Sequence, residues 1–329
     1  MRGGACIAPW AVSQPGVRTL ALLLCLAACD AGAKPEPTPA PRPANPAAPA
    51  KQPIAVAGAD LTYLPADSDV LLHIDVAALR RSKLWPAYAR DVAKLVAPGF
   101  ADCGDDPLSQ VSTVDIGIPI ATELDVFVFR GLDRDKTLTC LRGLTSESNQ
   151  TATFDGDFVT LTSKSGAIRI LTFVDDHTMV MQGSTKQPTK QTLQQALRLG
   201  ADAPLRQSAP FVAALNKARR SAVTLVSRPG SEAVAAKVKQ TGVQLSYFYG
   251  GLDLTDRLAL QYVMVVASAD SATALATMMR SQLQSPQVKQ MFDRVDARAQ
   301  ADTVTLDVEM SEQKLASLAG MVRGMLLQP

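Results

Sequence analysis

Thr151–Phe154 (TATF), Phe158–Thr162 (FVTLT), Ala167–Val174 (AIRILTFV) and Met179–Gln182 (MVMQ) form a closely spaced series rich in Thr, Val, Ile and Phe. Branched and aromatic side chains of this kind suit a pleated surface. The connections Asp155-Gly156, Ser165-Gly166 and Asp175-Asp176-His177 are short enough to close only hairpins. Parallel strands need crossovers of about a dozen residues or more, so a doubly wound parallel sheet does not fit this block.

Upstream, Asp69–Val76 (DVLLHIDV) reads as a strand, and 77–96 as helix with an apolar stripe at Trp85, Tyr88, Val92 and Leu95. Pro86 suits the first turn of its second piece. Strands follow at Val114–Ile120 and Asp125–Arg130, then a helix through Leu141 capped by Asp133 or Asp135. Downstream, Gln191–Leu199 and Phe211–Arg219 read as helices, Ala222–Ser227 as a strand and Ser231–Lys239 as a helix. Val243–Leu252 and Arg257–Ala267 are long strands joined at Asp253–Asp256. Asp270 caps the next helix, Ala301–Met310 is a strand, and Glu312–Leu327 is an amphipathic helix with Leu315, Leu318, Val322, Met325 and Leu326 on its apolar side.

The order strand, helix, strand, strand, helix, strand thus occurs twice, and DFVTLT from Asp157 resembles DTVTLD from Asp302. The expected fold class is α+β: antiparallel sheets, either two or one continued across a pseudo-repeat, with helices on one face and a tandem duplication of that unit. The expected divisions are 1–28, 29–53, a first α+β half at 54–203 and a second at 204–329.

The first of these divisions is read from Thr19–Cys29, TLALLLCLAAC. The apolar stretch is about half the roughly 20 residues a membrane-spanning helix needs. It follows Arg2 and Arg18 with no acidic residue, as a cleaved signal does. Leu26-Ala27-Ala28-Cys29 resembles the lipobox of bacterial lipoproteins. The resemblance implies cleavage before Cys29, diacylglycerol on its thiol and an acylated new amino terminus; palmitate is one such acyl chain. Cutting by the ordinary signal peptidase would instead leave Cys29 a plain thiol. Asp30, directly after the cysteine, resembles an inner-membrane retention signal of some Gram-negative lipoproteins, so the membrane is left open.

Residues 30–53 contain prolines at 35, 37, 39, 41, 43, 46, 49 and 53. Proline lacks an amide donor and disfavours αR in its predecessor, so this stretch reads as a polyproline tether. Its 24 residues extend to about 75 Å at about 3.1 Å per residue. Beyond it, LPADSDVLLHID at Leu64–Asp75 and LRRSKLW at Leu79–Trp85 resemble the opening of secreted α+β domains of Gram-negative bacteria to which no activity is assigned. That resemblance implies a fold alone.

Charge excludes some functions. The chain has 33 Lys and Arg against 31 Asp and Glu, and removing residues 1–28 takes away Arg2 and Arg18, leaving 31 of each. A balanced mature chain has no bulk electrostatic attraction to nucleic acid or anionic lipid. Membrane attachment would come from acyl chains.

Candidate chemistry is sparse. His73 lies in a strand, with Leu71 and Asp75 on its face, and reads as a satisfied sheet histidine rather than a base. His177 beside Asp175 and Asp176 offers a weak metal set or an ordinary polar turn. Asp102–Asp106 (DCGDD) has the oxygen density of a calcium loop without its ligand spacing. There is no G-x-S-x-G, no phosphate-cradling glycine loop and no H-E-x-x-H, and neither Ser165 nor Ser231 has a nearby base in sequence. No catalytic residue, metal or cofactor is expected. Met181, Met264, Met278, Met279, Met291, Met310, Met321 and Met325 could line a ligand groove or fill gaps in a core. Cys103 and Cys140, the cysteines left besides Cys29, are expected to pair in an oxidising envelope; two unpaired thiols are the alternative.

The function expected from these features is a membrane-tethered, non-enzymatic binding or scaffold module. It would be anchored through Cys29 with its folded part facing the periplasm or the cell surface, and its partner would be an envelope protein or lipid. A carrier or chaperone for lipid or secreted protein, and an envelope hydrolase with a dispersed site, are the alternatives.

Overall fold

The computed structural model describes residues 61–96, 108–144, 148, 150–184, 186–202, 205–218, 221–239 and 244–317. In chain order the first part runs β1 (Val70–Asp75), α1 (Val76–Arg80), α2 (Trp85–Val96), β2 (Thr113–Ile118), β3 (Leu124–Arg130), α3 (Arg134–Arg142), β4 (Gln150–Asp155), β5 (Phe158–Ser163), β6 (Ile168–Phe173), β7 (Thr178–Ser184) and α4 (Lys190–Asp202). A 3-10 turn at Leu205–Gln207 leads into α5 (Ala209–Lys217), β8 (Val223–Ser227), α6 (Glu232–Lys239), β9 (Leu245–Leu254), β10 (Arg257–Val266), α7 (Ala269–Leu283), α8 (Pro286–Met291), β11 (Arg294–Gln300) and β12 (Thr303–Ser311).

All the strands join one 12-stranded sheet in the order β11-β12-β10-β9-β8-β1-β2-β3-β7-β6-β5-β4. Every recorded pairing is antiparallel. The α+β class with an antiparallel sheet therefore holds, and it is one sheet rather than two. The hairpin block is β4 to β7, and Gly156 and Gly166 take positive φ in its turns, where a side chain would be strained.

Helices on one face is the part of the expectation that changes. On β1, Leu72 and Ile74 pack with Val76 and Leu79 of α1 and Trp85 and Ala89 of α2. Leu71, on the opposite side of the pleat, packs with Leu193 and Ala196 of α4 and Phe211 and Ala214 of α5. A strand's side chains alternate between faces, so these two clusters lie on opposite sides of the sheet. A third cluster joins Ala272, Leu275, Ala276 and Met279 of α7 to Tyr262, Val304 and Leu306. Leu225 of β8 packs against both the first and the third cluster, so those two share a face.

Over the first half the sheet is sandwiched between helices. In the second half that other face changes across the sheet: Val226 of β8 and Val263 and Val265 of β10 are buried on it, whereas β12 presents Thr305, Asp307 and Glu309 there, alternating with the buried Val304, Leu306 and Val308. The second layer also includes the segment ahead of β1. Gly200 of α4 comes so close to Tyr63 that a Cβ there would lie 2.5 Å from the Tyr63 carbonyl carbon.

The repeat is legible in strand order. Outward from the β1–β8 junction, one half reads β1-β2-β3-β7-β6 and the other β8-β9-β10-β12-β11. In each, three strands follow chain order, the last strand pairs with the third, and its hairpin partner lies outside. The β4–β5 hairpin is an addition to the first half. The resembling hexapeptides do not mark equivalent places, because DFVTLT lies on β5 while β12, which carries DTVTLD, takes the position of β7.

Two local expectations also change. Ser268, not Asp270, caps α7, accepting from the Ser271 amide. The strand β11 and the short helix α8 ahead of it add to the elements read from sequence.

Ala222 belongs to the cluster beneath α1 and α2, and Val226 to the cluster beneath α4 and α5. The two halves thus share cores across the expected 203/204 division. The expected consequence is one cooperative transition: urea unfolding followed by Trp85 fluorescence and by far-ultraviolet circular dichroism should coincide. Separate midpoints would show halves that fold independently.

Candidate functional site

The polar chemistry that the fold buries gathers on β1 and its neighbours. Register sets His73 opposite Asp115 of β2 and Thr224 of β8, on the Leu71 side of the sheet. Asp115 is fully buried. Its Oδ1 lies 2.6 Å from His73 Nδ1, and its Oδ2 forms an ion pair with the Arg130 guanidinium. Arg130 also donates from Nη2 to the Thr62 carbonyl at 3.1 Å, which ties the segment ahead of β1 to β3. An imidazole oriented by a carboxylate is the geometry of an acid–base dyad. Here, however, the second carboxylate oxygen is engaged by a cation.

A second cluster closes the other end of β1. Asp69 is buried, and its Oδ1 accepts from Ser231 Oγ at 2.6 Å and Arg228 Nη2 at 2.7 Å. Its Oδ2 accepts from the Ile120 amide at 2.9 Å. Arg228 also donates to the Ala66 and Asp67 carbonyls. Ser231 Oγ in turn accepts from the Val234 amide in the first turn of α6. Burial pushes the Asp69 carboxyl up, but the Ser231 hydroxyl, the Arg228 guanidinium and the Ile120 amide outweigh it and hold the group below its ordinary range. An open depression of about 420 Å³ lies over this cluster, edged by Asp67, Pro119, Thr122, Arg228 and Glu232.

A third group lies on β9. Tyr247 and Tyr249 stack with centroids 6.1 Å apart, and Lys217 Nζ of α5 donates to the Tyr247 hydroxyl at 3.0 Å. That bond raises the Lys217 pKa, and burial raises that of Tyr249.

The other candidates have local roles. The His177 amide donates to Asp175 Oδ1 at 2.7 Å, and its Nδ1 lies 3.1 Å from the Leu132 carbonyl oxygen, fixing the β6–β7 turn against the loop before α3. Among the described residues no group of three or more His, Cys, Asp or Glu converges as a metal site would require. Ser165 pairs with Ser163 in the β5–β6 turn. Met279 is buried in the core beneath α7, with Met264 and Met278 packed against it, and Met181 is buried beneath α1 and α2. These methionines fill core rather than line a groove. Cys140 sits in α3 and is disulfide-bonded. Cys29, Cys103, the Asp102–Asp106 loop, Met321 and Met325 lie outside the described residues.

Sequence reasoning found His73 but not its partner, and missed Asp69, Asp115, Arg130 and Arg228. The available signal was a lone charge within an apolar strand, as Asp115 is within TVDIGI.

No protein-family model matches the chain, and no curated protein matches it. Among solved structures it is similar to crystal form I of TP0453, at 14% identity and TM-score 0.49, over 80% of this chain and 97% of that one. Crystal form III of the same protein gives 13% identity and TM-score 0.49, over 79% and 98%.

Two outcomes follow from the clusters. Arg130→Ala leaves buried Asp115 with His73 alone and should lower stability by about 3–5 kcal/mol, the usual result of breaking one side of a buried ion pair. An unchanged urea midpoint would contradict the geometry. Asp69 has a depressed folded pKa, so its contribution is present above the unfolded value of about 3.9 and is lost as pH falls through the lower folded value. The stability gap between wild type and Asp69→Asn should be widest near neutral pH and close below about pH 4. A gap that stays constant to acid would show that Asp69 does not carry the effect.

Proposed function

We propose that the chain is an envelope lipoprotein whose folded body is a non-enzymatic binding or scaffold module, held off a membrane by the 30–53 tether. Anchoring rests on the lipobox-like Leu26-Ala27-Ala28-Cys29 and the proline run behind it. The non-enzymatic reading rests on one observation: both oxygens of the buried Asp115 are already engaged, by His73 and Arg130. A carboxylate held by a cation as well as by an imidazole ties β1, β2 and β3 together, the role of a structural joint. The partner is an envelope protein or lipid, and nucleic acid is disfavoured by the balanced charge of the mature chain. The body faces the periplasm or the cell surface.

Cys29→Ser should move the protein from the membrane fraction to the soluble one or stall the precursor, since only the thiol can carry diacylglycerol. An unmodified Cys29 in the intact mass of native mature protein would overturn the anchoring. We also propose that Cys103 is the partner of Cys140. A peptide map without reduction should yield a Cys103–Cys140 linked pair, closing a loop of 37 residues in sequence separation. The chain-entropy value of such a loop is about 4 kcal/mol. Recovery of both as free thiols, or of Cys140 joined elsewhere, would contradict the pairing.

A further inference from the structure

An open sheet has two edges, and each exposes unpaired amides and carbonyls that invite another strand. Here the edges are β11 and β4, and they differ in chemistry. β11 carries Arg294, Asp296 and Arg298, with Arg294 and Arg298 paired to Glu309 and Asp307 of β12. Long charged side chains of this kind keep a second strand away. β4 is QTATFD, uncharged until Asp155, and Asp155 is itself neutralised by Lys190 at 2.9 Å. Thr151, Thr153 and Phe154 are exposed, and all are good strand formers. Phe154 is one of two large apolar residues exposed among those described, at 37%, and the Arg142 guanidinium lies 5.2 Å from its ring centroid.

We propose that β4 is the strand through which two copies of this chain join, antiparallel about Thr153, extending the sheet across both. The sequence is self-complementary in that register. With Thr153 on the two-fold axis, Phe154 lies opposite Ala152 of the second copy and Thr151 opposite Asp155, so no like charges meet. Residues two apart share a face, so Phe154 and Ala152 stay on the side where α1–α3 pack, and the ring gains an apolar neighbour. A ladder of about six residues is small, placing the contact among transient interfaces below roughly 1,200 Å². Confinement of both copies at one membrane, which rests on the anchoring proposed above, would raise their encounter.

The test is cross-linking of the full-length protein in its native membranes, together with ultracentrifugation of the full mature chain carrying Cys29→Ser. Residues on the axis of an antiparallel pair have Cα atoms about 4.5–5.5 Å apart, within disulfide reach. Two copies of residue 151 would stand about 14 Å apart, four residues along the strand at about 3.4 Å each. Thr153→Cys should therefore give a disulfide-linked dimer, and Thr151→Cys should give at least tenfold less. Ultracentrifugation should show a concentration-dependent dimer, and Thr153→Arg should abolish it with the circular dichroism and urea midpoint unchanged. Equal cross-linking at 151 and 153, a dimer indifferent to Thr153→Arg, or a Thr153→Cys adduct with a different polypeptide would each overturn the proposal. A dimer in solution from a protein whose native Cys29 proves unlipidated would sink the anchoring alone.

Discussion

The pairing of β1 with β8 is the constraint on which the rest of the structure depends. It is the strand contact that joins the seven strands of one half to the five of the other. Its ends are closed by reciprocal backbone bonds, from the Arg228 amide to the Asp69 carbonyl at 2.7 Å and from the Asp75 amide to the Ala222 carbonyl at 2.8 Å. Apolar pattern alone leaves this register weakly specified. Leu71, Leu72, His73 and Ile74 are all buried, so a slip by one residue would exchange one buried face for another instead of exposing it. The charged groups supply what the pattern lacks. Only one β1–β8 register gives Asp69 its Arg228 and Ser231, and a slip would take the cation from that buried carboxylate at a cost of several kcal/mol.

The same junction explains why the halves look alike in strand order yet differ in depth. Each crosses the shared helical face twice, with α1–α2 and α3 in one half and α6 and α7–α8 in the other. The opposite face is built from the linker: the segment at 61–64, α4 and α5 are what cover it. Ile170 and Val180 beneath them are apolar. In the second half the corresponding outer strands present Asp307, Glu309, Arg294 and Arg298, joined in ion pairs across β11 and β12. Such exposed pairs add little stability each, but they keep that face wettable. Among the described residues the second helical layer thus covers the first half and reaches across the junction to β8 and β9, and the polar side chains lie beyond it on β12.

Much of this was written locally and could be read locally. Asp155-Gly156 and Ser165-Gly166 marked true hairpin turns, and Asp133 caps α3, its side chain accepting from the Lys136 amide. What escaped reading was non-local. Whether a helix lies above or below the sheet depends on which strand its neighbours enter, and no periodicity within α4 or α5 records that. β11, RVDARAQ, has charge on one side and only Val295, Ala297 and Ala299 on the other, too little apolar contrast to read as a strand. His73 was visible as a buried histidine, but its partner Asp115 is 42 residues away. The likeness of DFVTLT to DTVTLD pointed to a repeat that strand order supports, yet it joined the wrong pair of strands.

The two buried clusters also bear on what β1 could do besides hold the sheet. A general base needs a lone pair that can reach a substrate proton, and a dyad carboxylate usually leaves its histidine's far nitrogen in a cleft. Asp115 meets His73 as such a carboxylate would, but Arg130 takes its other oxygen and reaches on to the Thr62 carbonyl, binding the segment at 61–64 down beside the pair. Asp69 gathers more partners: two side-chain donors from the segment after β8 and the Ile120 amide beyond β2 converge on its oxygens. In both clusters every added partner stiffens the joint, as expected where buried charge is held by several strands.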